Sequence, residues 1–271
     1  MPVETGRLDW NEAWRAARQR RVKPRGREAW DRRAQSFTRA SDEYVEQMLA
    51  LLQPEPTWTV LDVGSGAGTL AVPLARKVQW VTALDYSPRM VELLRGRCVE
   101  DGLVNVSAVL GAWEDDWDGL GIRSCDVAIA SRSLLVDDLR GALLKLHRIA
   151  RRKVFVTAPV GEGPVDRRVF DAVGRPWVAG PDYIYPYNVL HDLGIPATIA
   201  FVQVPDTRWY ASGDDALEGL LRTLPEPSAA EVARLRTWLD QTLVAGAEGV
   251  RLPSARTVRW AVLSWTPSQE S

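Results

Sequence analysis

Apolar and polar residues fall in blocks along this chain. From residue 57 onward, short β-rich apolar runs alternate with stretches whose apolar residues recur at helical spacing. TWTVLDVG (57–64), QWVTALD (79–85), VSAVLG (106–111), CDVAIAS (125–131) and KVFVTAP (153–159) read as five strands. Between them, GTLAVPLARKV and LVDDLRGALLKLHRIAR read as helices. So does the segment opened by Ser87 and Pro88, where Val91, Leu93 and Leu94 carry the apolar face. Ser87-Pro88 is a good N-cap and first-turn pair, and Pro73 lies early enough in its helix to be tolerated. Such alternation with short connections predicts right-handed crossovers and a parallel sheet.

Outside this block the pattern changes. Ser41 can cap a helix whose Tyr44, Val45, Met48, Leu49 and Leu52 share a face. After Pro159 the alternation pauses across residues 160–195, which include the Tyr-rich PDYIYPYNVLHDLGI. ATIAFVQV (197–204) resumes as a strand. Ser212 with Asp215, and Ser228 with Glu231, have capping-box spacing and predict two helices. Val232, Leu235, Trp238, Leu239 and Leu243 form the apolar stripe of the second. TVRWAVLSW (257–265) predicts a last strand, paired with the previous one as an antiparallel edge hairpin. The expected fold is α/β: one doubly wound, mostly parallel sheet of about seven strands. In this single domain, 1–40 is an N-terminal helical cap and 41–159 the core. Residues 160–195 and 206–250 are lid insertions, and 196–205 and 257–267 are closing strands.

Composition narrows the class. At 271 residues, 46% of them hydrophobic, the chain suits one large α/β unit. The net charge of -1 gives no general bias toward nucleic acid. Arg15 to Arg33 holds nine Arg/Lys against two acids, which reads first as a solvated helical face and second as an anion or nucleic-acid patch. Cys98 and Cys125 are too few for a disulfide framework and form no zinc motif, so no metal is expected. The first residues lack a signal-peptide core, and no uncharged apolar run approaches the ~18 residues of a membrane span. A cytoplasmic protein is expected. Trp10, Trp14, Trp30, Trp113, Trp117 and Trp177 all fall outside the expected strands.

The chemistry concentrates at Val60-Leu61-Asp62-Val63-Gly64-Ser65-Gly66-Ala67-Gly68. Here a strand ends, the backbone turns and a helix begins. Glycines allow the turn and a close ligand approach, and exposed N–H groups at a helix start favour an anionic group. Asp62 is positioned to meet an ammonium group. Asp85, at the end of the second strand, can accept hydrogen bonds from ribose hydroxyls. An ammonium, a carboxylate and a ribose together describe S-adenosylmethionine.

D-x-G-x-G-x-G followed by Asp85-Tyr86-Ser87-Pro88-Arg89-Met90 resembles the class I S-adenosylmethionine-dependent methyltransferases. It is especially similar to small-molecule enzymes of the ubiquinone/menaquinone-biosynthesis type. The resemblance covers about residues 29–159 and implies a Rossmann-like methyltransferase fold with helical lid elements. It implies that Gly64, Ser65 and Gly66 line the methionine part, that Asp85 binds ribose and that Tyr86 flanks adenine; Asp62 and Gly68 belong to the same expected cofactor-binding set. It also implies Ala112 and Trp113 at the adenine edge, Ser131 facing the ligand, and Trp30, within AWDRRAQSF (29–37), closing over the sulfonium. The product would be S-adenosylhomocysteine. The rival ligand is a nicotinamide dinucleotide, because Gly66 to Ala71 also reads as G-x-G-x-x-A; that frame leaves Asp62 and Gly64 unexplained.

Methyl transfer by in-line displacement asks the protein chiefly to align a nucleophile at ~3 Å. Candidates for touching the acceptor are Arg132, for an anionic group, with Tyr185 and His191 from the Tyr-rich segment. The run Ser131-Arg132-Ser133-Leu134 lacks the (D/N)PPY of base-amino methyltransferases, and neither cysteine is placed as a 5-methylcytosine nucleophile. A small-molecule acceptor is expected. The alternatives are a protein or RNA methyltransferase, a non-catalytic S-adenosylmethionine-binding protein, and an NAD-linked oxidoreductase. Neither the general base nor the oligomeric state is fixed by the sequence.

Overall fold

The computed structural model describes residues 8–21, 42–206, 208–253 and 256–268. Strands β1 (Thr59–Val63), β2 (Trp80–Asp85), β3 (Val106–Leu110), β4 (Cys125–Ala130) and β5 (Ala150–Pro159) are parallel. Next come β6 (Thr198–Asp206), a small hairpin of β7 (Val244–Gly246) with β8 (Gly249–Arg251), and β9 (Arg256–Trp265). The seven-stranded sheet has the order β3-β2-β1-β4-β5-β9-β6, with β9 antiparallel to both neighbours. The chain starts at β1, fills one side, then crosses to β4. The β1/β4 boundary is therefore the topological switch point, where open α/β sheets bind ligands beyond their strand ends.

Strand alternation feeds two cores. Leu61, Val63, Ala128, Ala130, Val154 and Val156 face one side. There they meet α1 (Trp10–Arg21), α5 (Leu139–Ile149) and α7 (Ile184–Asp192), which contribute Trp14, Leu143, Leu146, Val189 and Leu190. Val60, Val81, Ala83, Val127, Ile129 and Phe155 face the other. That side is covered by α2 (Asp42–Leu52), α3 (Ala71–Ala75) and α4 (Pro88–Glu100) through Tyr44, Met48, Leu52, Leu74 and Leu94. A third cluster stands apart. Val169 and Val173 of α6 (Arg167–Val173), Leu217 and Leu220 of α8 (Gly213–Leu221), and Leu235 and Leu239 of α9 (Ala229–Thr242) pack around Tyr210. Arg175 braces this lobe, pairing with Glu231 and donating to the Pro225 carbonyl at 2.7 Å. Among the described residues no helix is long and apolar enough to cross a membrane.

The expected strands and their parallel order are present. The helix after the glycine run is shorter than expected, because Gly68 has φ +85° and helical geometry begins only at Ala71. The helix expected from Leu135 starts at Leu139, since the Asp138 side chain accepts from the Gly141 N–H and caps it there. Residues 160–195 hold α6 and α7, and 244–251 the β7–β8 hairpin, none of which the pattern announced. Both capping serines, Ser212 and Ser228, cap as expected; Ser41 lies outside the described residues.

Candidate functional site

The glycine run leaves β1 at the switch point. Gly64, Gly66 and Gly68 have φ of +70°, +55° and +85°, a region that costs other L-residues about 1–2 kcal/mol each. Their surroundings differ. A Cβ on Gly64 would lie 2.3 Å from the Ser133 Cβ, so close packing of the β1 and β4 loops requires glycine there. A Cβ on Gly66 would meet nothing within 4 Å, so this glycine faces open space. Ser133 fastens the two loops, donating from its hydroxyl to the Val63 carbonyl at 2.5 Å.

Four of the loop's N–H groups are committed internally. Gly64 and Ser65 donate to the Leu84 carbonyl, Gly66 to Asp85 Oδ2 at 2.8 Å, and Gly68 to the Ser65 carbonyl. Asp62 lies beneath the loop. It is 2% exposed, and its carboxyl accepts a hydrogen bond from the Ala71 backbone at the start of α3. Burial, then the neighbouring Asp85, push its pKa from 3.8 to about 7, with Arg132 and Ala71 opposing. An acidic group at that helix start disfavours a pyrophosphate, which counts against the dinucleotide reading. Asp85, 6% exposed, accepts from Gly66 N–H at one oxygen and from Ser87 N–H at the other, at 2.9 Å. The Ser65 hydroxyl is buried with no hydrogen-bond partner, an orphan at the mouth of the loop.

Tyr86 follows Asp85, half-buried. Ala112 and Trp113 come just after β3, whose Leu110 pairs with Asp85. The Trp113 indole donates to the Ser133 carbonyl at 3.1 Å, so the ring links the β3 and β4 ends. Lys145 braces this segment, donating to the Trp113 and Asp115 carbonyls and lying 4.1 Å from the Trp117 ring. Ser131 Oγ is 2.6 Å from the Tyr44 hydroxyl. Trp30 lies outside the described residues.

Arg132 has the left-handed φ of +58°, and its N–H donates to Thr157 Oγ1 at 2.7 Å. Its guanidinium lies 4.2 Å from the Tyr44 ring centroid and 6.0 Å from that of Trp260. Among the described residues it has no ion-pair partner. The other acceptor candidates are not gathered here. Tyr185 packs edge-on against Trp10 and Trp14, at 5.8 and 6.1 Å, and ties α1 to α7. α7 begins beside Pro159, where Tyr183 N–H donates to the Pro159 carbonyl, and the chain then enters β6 at Thr198, opposite Ser264. His191, eight residues and about 12 Å further along that helix than Tyr183, is 72% exposed. His147 is structural, accepting from the Trp265 indole at Nδ1. Cys98 and Cys125 are buried thiols, and burial pushes Cys125 up to about 12. Sequence reasoning missed Tyr44, Ser133, Thr157 and Trp260 at the mouth. Tyr44 carried one signal, a hydroxyl on an otherwise apolar helix face that needs a partner when buried.

Comparison with known proteins agrees with this geometry. Residues 60–153 match the family model of a methyltransferase domain. The chain is 33% identical over 241 residues to an uncharacterized protein of Haemophilus influenzae, covering 87% of this chain and 88% of that one. It is 31% identical over 141 residues to nocamycin O-methyltransferase of Saccharothrix syringae, 50% of this chain and 46% of the relative. A solved methyltransferase of Geobacter sulfurreducens, in complex with S-adenosyl-L-homocysteine, matches the fold with a TM-score of 0.54 at 19% identity. That match covers 87% of this chain and 96% of the other. The chain belongs to the class I S-adenosylmethionine-dependent methyltransferases, and it is an enzyme that uses S-adenosylmethionine as methyl donor.

Proposed function

We propose that this enzyme methylates a small acceptor carrying an anionic group, which Arg132 holds beside the donor. The carrying observation is that guanidinium, without an ion-pair partner among the described residues and framed by Tyr44 and Trp260. A guanidinium on an aromatic floor, with no ion-pair contact among the described residues, suits a carboxylate or phosphate on a compact, partly apolar molecule. S-adenosylmethionine supplies the electrophilic methyl group and its leaving group. In this reading Gly64 to Gly68 shape the methionine end, and the orphan Ser65 hydroxyl finds its partner there. Asp85 takes the ribose, Tyr86, Ala112 and Trp113 border the adenine, and Ser131 faces the donor through its link to Tyr44. The N-terminal cap, residues 160–195 and the helical lobe act as covers that determine what enters.

A nucleic-acid substrate is less well supported. Within the described part of the basic run, Arg15 pairs with Glu12, while Arg18 pairs with Asp137 and donates to the Leu135 carbonyl. The test is turnover of labelled S-adenosylmethionine with matched anionic and neutral small acceptors, repeated with Arg132→Met. The expected result is preference for the anionic acceptor and a KM at least about tenfold higher in the variant, as for one lost charge-assisted contact. S-adenosylhomocysteine affinity should be unchanged. Equal use of neutral acceptors, or turnover only with RNA or protein, would overturn the proposal.

A further inference from the structure

A second group of cations lies away from the glycine loop. β5 ends at Pro159, opposite Trp260, but the β6–β9 pairing continues four residues further, to Asp206 opposite Arg256. At ~3.4 Å per residue this arm projects about 14 Å past the end of β5. The helical lobe stands on it. At its root lies a pocket whose polar wall holds Asp166, Arg168, Asp206, Arg208, Tyr210 and Arg251.

The two carboxylates of this wall are already matched. Arg168 holds Asp166 through both oxygens, at 2.7 to 3.2 Å, and its own N–H adds a bond at 3.0 Å. Asp206 pairs with Arg256 at 3.3 Å, and Arg256 also reaches Glu162. Arg208 and Arg251 remain. Among the described residues neither has a carboxylate in ion-pair contact. Arg251 lies 5.1 Å from the Trp209 ring, and its Nε is buried with no hydrogen-bond partner. Arg208 hydrogen-bonds the Tyr210 side chain, which is 7% exposed. Burial is the main cause pushing the Tyr210 phenol up, so its hydroxyl stays protonated and can donate. The position is fixed by backbone: Tyr210 exchanges N–H···O bonds with Val250, and a Cβ on Gly249 would fall 2.2 Å from the Tyr210 carbonyl.

We infer that this pocket is a separate binding site for a phosphate- or carboxylate-bearing small molecule, with Arg208, Arg251 and the Tyr210 hydroxyl as its donors. The orphaned, buried N–H of Arg251 is costly to hold beside a pocket unless an anion completes it, and Arg208, exposed at the rim and drawn toward Asp206 and Asp166 without an ion-pair contact among the described residues, adds a second set of donors. Pro164, Leu220 and Leu252 give the ligand an apolar wall, so a bare inorganic ion is the minimal occupant. The inference does not rest on the role given to Arg132.

The probe is inorganic phosphate, added to the full chain without methyl donor, with sodium chloride adjusted to hold ionic strength constant. Thermal unfolding should show a saturable rise in Tm. The apparent dissociation constant should increase at least tenfold in Arg208→Met and in Arg251→Met. It should stay unchanged in Arg236→Ala, an exposed lobe arginine paired with Asp214, and in Arg132→Met. Thr223→Asp leaves both arginines in place but adds a carboxylate to the wall, and should abolish the response. Retained S-adenosylhomocysteine affinity identifies folded variants. No saturable response in the wild type would overturn the inference. So would a response lost equally in Arg236→Ala, which marks surface screening, or lost only in Arg132→Met, which moves the anion to the acceptor site.

Discussion

Asp62→Asn should make the protein more stable, and increasingly so as pH rises. The Asp62 carboxyl is buried, and its pKa stands near 7 against 3.8 in the absence of perturbation. A group with a raised folded-state pKa binds protons more tightly when folded, so its contribution is complete below the unfolded value of 3.8. Stability is then lost as pH climbs through the folded value. The slope is about 1.4 kcal/mol per pH unit between the two values. From pH 5 to pH 8 the wild type should therefore lose roughly 3 kcal/mol at this site alone. Asparagine cannot ionise, yet its carbonyl oxygen can keep the Ala71 N–H bond. Urea unfolding of both proteins at pH 5, 6, 7 and 8 measures the difference. The account predicts a gap that widens by roughly 3 kcal/mol in favour of the variant and flattens above pH 7. A pH-independent gap, or a variant that falls behind the wild type as pH rises, would refute the reasoning.

Three further substitutions follow from packing. Gly64→Ala places a methyl group against Ser133 in a left-handed backbone and should cost about 2–5 kcal/mol in urea unfolding. Gly66→Ala, with open space ahead, should cost about 1–2 kcal/mol while weakening S-adenosylhomocysteine binding severalfold or more; equal effects on stability would deny the loops their different packing. Trp14→Ala removes a buried indole that donates to the Val136 carbonyl at 2.7 Å and should cost about 3–5 kcal/mol by the same measurement. A loss under 1 kcal/mol would mean that α1 is not part of the core.

Much of the core was legible because its signals are local. Each strand run ends in its own turn residues, and the Asp62–Gly68 and Asp85–Met90 motifs sit on consecutive strand ends. Ser87, Ser212 and Ser228 cap within three residues of themselves. The acceptor side depends instead on distant crossings. Tyr44 reaches Ser131 across 87 residues, and Ser133 reaches Val63 across 70. Nothing local distinguishes Thr157 or Trp260 from ordinary strand residues. The internal bonds of the loop were equally hidden: Leu84, Asp85 and Ala71 engage Gly64, Ser65, Gly66 and Asp62, and no local pattern announces those pairings.

The most direct test is calorimetric titration of the full chain with S-adenosylhomocysteine and, separately, with NAD, repeated on Asp85→Ala. The account predicts micromolar binding of S-adenosylhomocysteine, lost by tenfold or more in the variant, and no binding of NAD. Binding of NAD alone, or S-adenosylhomocysteine binding that is indifferent to Asp85, would contradict it.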